Sequence, residues 1–329
     1  MFKKTKSIII AGGAGFIGVN LAKALSDDGH KIFIADNFSL GKEHNLKKYL
    51  GDEFNNYLNK DLSTESGVES IFLNAIKTIG NIDEVWHLAA NSDIPAGVEN
   101  PAVDFKDTFQ TTYELLNGCK NFNVPVFHFA SSSAVYGDWG ERDLSENLGP
   151  LRPISNYGAM KLASEAQICA ARESFLESAN IFRFPNVVGS PATHGVIFDF
   201  INRISKDKNS LNVLGNGTQK KSYLHVSELI SAMIYISNLE RDQKKARILN
   251  IGCADKGISV KEIAKIVVKK CNPNASIFFG DNDRGWLGDV PKFSYDIKLL
   301  KSLGWEPSLD SKQAIKKAVS EIYEQLVNE

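Results

Sequence analysis

Cysteine is scarce in this chain, long apolar runs are missing, and the net charge is close to zero. Each deficit removes a class of protein. The four cysteines, Cys119, Cys169, Cys253 and Cys271, form no C-x-x-C pair, so a metal or dithiol site is not expected, and reduced thiols in a cytoplasmic protein are the simplest reading. Thirty-eight Lys and Arg residues face 39 Asp and Glu, a formal charge of −1. Such a chain lacks the broad basic field of a nucleic-acid binder. No segment approaches the roughly 18 apolar residues of a membrane span. Lys3, Lys4 and Lys6 imitate the charged start of a secretory leader, but Ile8–Ala11 is shorter than the roughly 7 apolar residues a leader needs, and Gly12 and Gly13 break it. Internal repeats and low-complexity linkers are absent too. A soluble cytoplasmic protein with no nucleic-acid and no membrane partner is expected.

What is present is alternation. Ile8–Ala11, Lys31–Ala35, Glu84–Leu88 and Val126–Ala130 are short apolar runs that read as strands. Between and after them, Phe16–Ser26, Val68–Ile79, Val103–Cys119 and Tyr157–Ser174 carry helical periodicity. This alternation predicts an α/β fold, a Rossmann-type doubly wound parallel sheet covered on both faces. From about Asn186 the pattern loosens. Helices near Val196–Ile204, Ser227–Leu239, Val260–Lys269 and Gln313–Val327, and strands near Leu211–Leu214 and Ser276–Phe279, predict a smaller mixed α/β lobe. The expected division is residues 1–185 and 186–329, with some later elements packing back on the first domain.

The stretch "SIIIAGGAGFIG" places Gly12, Gly15 and Gly18 between a strand and a helix. A side chain at the first would block the tight turn, at the second would hold the backbone off a pyrophosphate, and at the third would push the helix off the strand. Free N–H groups at the helix start favour the anion. Asp36 closes the second strand, where a carboxylate accepts hydrogen bonds from ribose hydroxyls and repels a 2′-phosphate, which favours NAD over NADP. Asp61, after Tyr57–Lys60, is placed either beside the adenine or as a plain turn residue.

"SNYGAMK" sets Tyr157 and Lys161 four apart on one helix face. A free tyrosine, with a pKa of about 10, is a poor base near neutrality. A neighbouring ammonium favours the phenolate, so the pair predicts a tyrosine able to exchange a proton with a sugar hydroxyl while hydride moves to or from a nicotinamide. "FHFASSSAVYG" runs a strand into serines at the same sheet edge. Ser132 can hold the reacting oxygen there, although three serines equally suit a solvated loop.

Together the glycine turn, Asp36, "HLAA" at 87–90, the serine strand and Tyr157/Lys161 resemble the extended short-chain dehydrogenases/reductases, and within them the NAD-dependent nucleotide-sugar epimerases and dehydratases of the UDP-glucose 4-epimerase type. The resemblance spans nearly the whole chain, through "RFPNVVG", "GNGTQKKSYLHV" and "RGWLGDVPKFSYDIKLLKSLGW". It implies Tyr157 as base and acid, Lys161 on the nicotinamide ribose and Ser132 as the catalytic hydroxyl. It implies cofactor contacts from Gly12, Gly15, Phe16, Ile17, Gly18, Asp36, Asn37, Asp61, Leu62, Leu88, Ala89, Ala90 and Pro185, together with Tyr157 and Lys161. For a UDP- or GDP-linked sugar it implies Ser132, Ser133, Asn186, Lys221 and Arg284, with Asp289 on a ribose or orienting Arg284. Cations and an amide suit phosphate oxygens, though Lys221 also reads as a solvated lysine. A homodimer through the Val103–Cys119 and Tyr157–Ser174 helices is implied as well, although their apolar residues equally suit packing against the sheet; no metal is expected.

Two departures sharpen this. Ser133 and Ala134 stand where the family's dehydratases carry Asp-Glu, so 4,6-dehydration is disfavoured. Lys221-Ser222 replaces the usual Arg-Asp, and lysine lacks the bidentate fork of arginine. His194 reads as a loop histidine, or one facing the sugar. The expectation is 4-epimerisation through a transient 4-keto sugar. The alternatives are a dehydrogenase, reductase or decarboxylase built on the same triad, and a non-catalytic NAD-binding scaffold.

Overall fold

The computed structural model describes residues 4–240, 245–282, 290 and 292–328. The chain forms two compact units. The first comprises Met1–Val135, Leu151–Arg183 and Met233–Leu249. The second comprises Tyr136–Pro150, Phe184–Ala232 and Asn250–Glu329.

The first unit is built on a seven-stranded sheet. Its order is Arg247–Asn250, Ser178–Arg183, Val126–Ala130, Glu84–His87, Ser7–Ala11, Lys31–Asp36, Tyr57–Asn59. The chain enters in the middle, at Ser7–Ala11, whose five residues are all buried. A strand covered on both faces needs no polar alternation, which is why this one reads as an unbroken apolar run. It pairs in parallel with Lys31–Asp36 on one side (Ile9 opposite Phe33) and with Glu84–His87 on the other (Ile9 opposite Val85). The order therefore reverses direction between Ser7–Ala11 and Glu84–His87. In open parallel sheets that reversal opens a crevice beyond the carboxyl ends of the strands. The glycine turn, "HLAA" and the serine run all follow carboxyl ends of neighbouring strands, so the topology brings them to one edge.

One face is sealed by the helices Glu65–Ile79, Thr111–Asn121 and Asn156–Ser174. Val68, Ile71, Phe72, Leu115, Leu116 and Ile168 pack on Ile9, Phe33, Val85, Phe127 and Ile181. The helix Phe16–Asp27 buries Gly18, Leu21, Ala22 and Leu25, the one-face spacing its sequence announces.

One expected helix differs. Val103–Cys119 is interrupted: Pro101–Asp104 passes through a π-helical turn, Phe105–Gln110, into Thr111–Asn121. Threonine hydroxyls supply a reason. Thr111 Oγ1 donates to the carbonyls of Asp107 and Thr108, both at 3.0 Å, and Thr112 Oγ1 donates to Thr108 O at 2.9 Å. Side chains that bond back to the ladder's carbonyls loosen its register.

The second unit has its own core. Phe200, Ile201 and Ile204 of helix Val196–Lys206 pack with Ile263, Val267 and Val268 of Val260–Cys271 and with Ile315, Ala318 and Ile322 of Ser311–Asn328. Its sheets are small. One orders Ile258–Ser259, Lys220–Lys221, Lys292–Tyr295 and Asp143–Leu144; two others pair Tyr223–His225 with Asn186–Val188, and Ser276–Phe279 with Ser210–Val213. Strands of two or three residues are too short to show a period, which is why several have no counterpart in the sequence reading. Among the described residues, no helix is long and apolar enough to cross a membrane.

Candidate active site

The glycine turn begins at the carboxyl end of Ser7–Ala11. Gly12 takes φ +77°, and a Cβ there would lie 2.6 Å from Ala89 N. A Cβ on Gly18 would lie 2.1 Å from Gly12 O. The protein itself therefore requires glycine at both positions. Gly15 is different. A Cβ there would meet only Gly12 O, at an ordinary 3.4 Å, and its backbone is extended. The space beside Gly15 is open toward the start of helix Phe16–Asp27, whose first N–H groups have no side-chain cap. A three-glycine turn with one glycine the protein does not need fits a pyrophosphate at that helix end.

Asp36 is buried and ties this turn to the second strand. Its Oδ2 accepts from Ala14 N at 3.0 Å and its Oδ1 from Phe38 N at 2.8 Å. Burial raises its pKa, against the pull of those two N–H groups. Each oxygen keeps a lone pair for a ribose hydroxyl. Asn37 accepts from Ser39 N at 3.0 Å. Asp61 is heavily committed: Oδ1 accepts from the Ser63 N–H and hydroxyl at 2.9 and 2.7 Å, and Oδ2 lies 2.9 Å from Lys106 Nζ. Leu62 is buried, and Leu88, Ala89 and Ala90 are partly exposed after Glu84–His87.

At the serine edge the first unit assembles the three groups named for catalysis. Ser155 Oγ caps helix Asn156–Ser174 by accepting from Gly158 N at 3.1 Å, which sets half-buried Tyr157 in the first turn. A Cβ on Gly158 would lie 2.5 Å from Ala134 O, so only glycine lets this helix press against the serine loop. There the Ser132 hydroxyl lies close enough to the Tyr157 phenol to lower its pKa. Ser132 Oγ also accepts from Ala134 N at 3.2 Å, and Ser133 opens the short 3₁₀ turn Ser133–Val135. Lys161 is 2 % exposed. Its Nζ donates to Ala130 O at 2.7 Å, and it lies 4.6 Å from the Phe129 ring centroid and 5.7 Å from that of Tyr157.

The electrostatics correct one expectation. The sequence predicts an ammonium that lowers the Tyr157 pKa. Instead, burial pushes the phenol up to about 12, with Ser132 pulling it down and Asp104 pushing it further up. Burial likewise brings Lys161 down to about 7, against the opposing charges of Glu165 and Asp104. Spacing alone carries no information on how dry the two groups are, and desolvation is the largest influence on each.

Several residues that hold this arrangement were not legible as site residues. Glu165, one turn beyond Lys161, takes Arg183 Nε on Oε1 at 2.9 Å and Nη2 on Oε2 at 2.5 Å, and a short bond joins it to Ser131 Oγ. This clamp fixes the strand end whose Ala130 carbonyl receives Lys161. The only sequence signal was the four-residue step from Lys161 to a buried acid.

In the second unit, Pro185 is buried and Asn186 is exposed. Asn186 lies opposite Tyr223 in one small sheet, and half-buried Lys221 lies opposite Phe293 and Ile258 in another. His194 is paired with the Thr193 hydroxyl at 3.0 Å. Arg284 and Asp289 lie outside the described residues.

A doubly wound dinucleotide-type sheet with a serine, a tyrosine and a lysine at its carboxyl edge defines a class of nucleotide-cofactor enzymes. Within that class the chain belongs to the NAD dependent epimerase/dehydratase family, whose model matches residues 8–252. Among curated proteins it is similar to UDP-glucuronic acid decarboxylase 1 of Xenopus tropicalis, 26% identical over 326 residues, covering 96% of this chain and 72% of the relative. Among solved structures it resembles a UDP-galactose 4-epimerase, at 30% identity with a TM-score of 0.80, covering 97% of this chain and 99% of the other. It also resembles the UDP-glucose 4-epimerase of Thermotoga maritima with UDP-glucose, at 25% identity with a TM-score of 0.83, covering 98% and 99%.

Proposed function

We propose that the chain is an NAD-dependent epimerase acting at carbon 4 of a UDP- or GDP-linked sugar. The observation that carries this reading is the convergence of Ser132, Tyr157 and Lys161 on one sheet edge, beside a glycine turn that fits a pyrophosphate. When bound, oxidised NAD supplies a hydride acceptor at carbon 4, and a positive ring charge of the sign that favours the Tyr157 phenolate. The chain supplies the rest. Tyr157 Oη takes the proton of the carbon-4 hydroxyl and later returns it to the ketone oxygen. Ser132 holds that oxygen by a hydrogen bond. Lys161, pinned by Ala130 O, orients the nicotinamide ribose and sets the charge around the phenol. Ser133 and Ala134 offer no acid–base pair for eliminating water, which supports epimerisation over dehydration.

Residues 1–185 are read as the NAD domain and 186–329 as the nucleotide-sugar domain, with Asn186, Lys221, Arg284 and Asp289 toward the nucleotide. Cofactor contacts fall to Gly12, Gly15, Phe16, Ile17, Gly18, Asp36, Asn37, Asp61, Leu62, Leu88, Ala89, Ala90 and Pro185. A homodimer is supported by the exposed Phe105 and Tyr113, which with Phe109, Gln110, Glu114 and Gln167 line a shallow apolar hollow of 370 Å³. Four free cysteines support a cytoplasmic location.

A second reading, decarboxylation of a nucleotide-linked uronic acid, draws on the named decarboxylase relative. Product analysis decides between them. Incubation with UDP- and GDP-hexoses is expected to yield the carbon-4 epimer with the cofactor pool unchanged, and Tyr157→Phe to abolish it. A five-carbon product from a uronic-acid donor would select the second reading, and no conversion of any donor would remove both.

A further inference from the structure

A buried carboxylate lies in line with the two catalytic groups of helix Asn156–Ser174. Tyr157, Lys161 and Glu165 follow one another at four-residue steps, which stacks them turn by turn along one face. That face meets the sheet, and Lys161, Glu165 and Ile168 are all buried there. Beneath it, Phe129 of Val126–Ala130 lies opposite Ile181 of Ser178–Arg183, and both belong to the core that the helix covers. Side chains two residues apart on a strand share a face. The next pair on that face is therefore Ser131, one residue past its strand, and Arg183, the last residue of its own.

Glu165 takes hold of both. Its Oε1 accepts from Ser131 Oγ and, at 2.9 Å, from Arg183 Nε, while its Oε2 accepts from Arg183 Nη2 at 2.5 Å. All three side chains are buried. Ser131 is the joint between this clamp and the site. It is bonded directly to Ser132. Its own N–H donates to Phe182 O at 2.8 Å. The Ala130–Ser131 peptide is trans, so the Ala130 carbonyl points the other way, toward the strand that ends at His87. There it accepts from Lys161 Nζ at 2.7 Å.

Sealing this helix on the sheet does not call for charge. Apolar side chains of similar volume would hold the two layers together as well or better, because a buried ion pair recovers its desolvation cost only in part. What apolar contact lacks is direction, which a two-pronged carboxylate–guanidinium pair supplies. We propose that Glu165 is a positioning residue, gripping Ser131 and Arg183 so that Ser132 and the Ala130 carbonyl are held in fixed places beside Tyr157 and Lys161. This rests on the reading of Ser132, Tyr157 and Lys161 as the reacting groups. Through Glu165, the helix that carries the tyrosine and the lysine also sets the strand end that carries the serine.

The test uses two variants of the full chain. Ser131→Ala cuts the tie to the serine segment and leaves the Glu165–Arg183 pair in place. Glu165→Leu combined with Arg183→Met removes the pair without stranding a buried charge. Both are read first without turnover, by backbone hydrogen exchange and mass spectrometry. Peptides spanning residues 130–136 are expected to exchange about tenfold faster than in the wild type, and those spanning residues 7–11 at the wild-type rate. In turnover, kcat is expected to fall about 10- to 100-fold while KM and NAD affinity change by less than about threefold. A merely structural clamp would be replaced in full by the apolar pair. Wild-type kcat in that variant, or unchanged exchange at 130–136 in either folded variant, overturns the proposal. Should the double variant not fold, Ser131→Ala decides alone. Faster exchange at 130–136 with no donor epimerised by the wild type removes the reaction reading alone. Epimerisation by the wild type, undiminished in Ser131→Ala, removes this inference alone.

Discussion

Replacing Lys161 by methionine should flatten the rise of stability with pH as well as abolish activity. In the folded chain, burial brings this amine down to about 7 from an ordinary 10.5. Between those values the unfolded chain binds the proton and the folded chain does not, so folding becomes more favourable as pH rises. One proton corresponds to about 1.4 kcal/mol per pH unit. Near its folded midpoint the group is half protonated, which trims the lower end of the range. Between pH 7.5 and 9.5 the wild type should therefore gain about 2.5 kcal/mol relative to Lys161→Met. The buried thiol of Cys253, pushed up to about 12, and the half-buried thiol of Cys271, pushed up to about 11, also make stability depend on pH above 8. They are shared by both proteins and cancel in the difference. The assay is urea unfolding followed by far-ultraviolet circular dichroism at matched ionic strength, with both proteins at each pH. Parallel stability curves for the two proteins would show that Lys161 is solvated in solution, and the electrostatic account of the site would fail with it.

The two outer glycines of the turn and the middle one should separate cleanly. Gly18→Ala forces a Cβ to 2.1 Å from the Gly12 carbonyl and should cost about 3 kcal/mol in thermal or urea unfolding. Gly15→Ala, with its Cβ in ordinary contact, should fold within about 0.5 kcal/mol of wild type yet lose dinucleotide affinity by calorimetry; unchanged affinity would contradict the phosphate role of that turn. Gly158→Ala, whose Cβ would press on Ala134 O at 2.5 Å, should reduce kcat more than it raises KM. At the opposite end of the sheet, burial raises the pKa of Glu84, but His128 at 3.5 Å and Lys6 at 2.5 Å outweigh it and hold the acid at about 2. The stability it contributes is present above its ordinary 4.5 and is lost as pH falls toward 2. Glu84→Gln should cost about 3 kcal/mol at neutral pH and remove that acid dependence, read from paired denaturation curves.

The sheet was legible because its central strands are apolar on both faces and its turns are marked by glycines. Ile8–Ala11, Lys31–Ala35 and Val126–Ala130 sit where their runs placed them. The break at Phe105–Gln110 was not legible, because hydrophobic periodicity does not register threonine hydroxyls bonding to the ladder's carbonyls. In the site, Tyr157, Lys161 and Ser132 were found by spacing and strand context. Glu165, Arg183 and Gly158 were not, because their roles come from burial and close approach between segments far apart in the chain. The direction of the Tyr157 and Lys161 shifts was hidden for the same reason: sequence spacing gives the neighbours, and only packing gives the dryness that dominates both shifts.

The most direct test of the central claim is the fate of the hydrogen on carbon 4. A UDP-hexose carrying deuterium there, converted to its epimer in ordinary water, should keep the deuterium at carbon 4 in the product, because hydride leaves that carbon and returns to it. Loss of the label to solvent would mean that the carbon is deprotonated instead, and the account of Ser132, Tyr157 and Lys161 as a hydride-transfer site would be wrong.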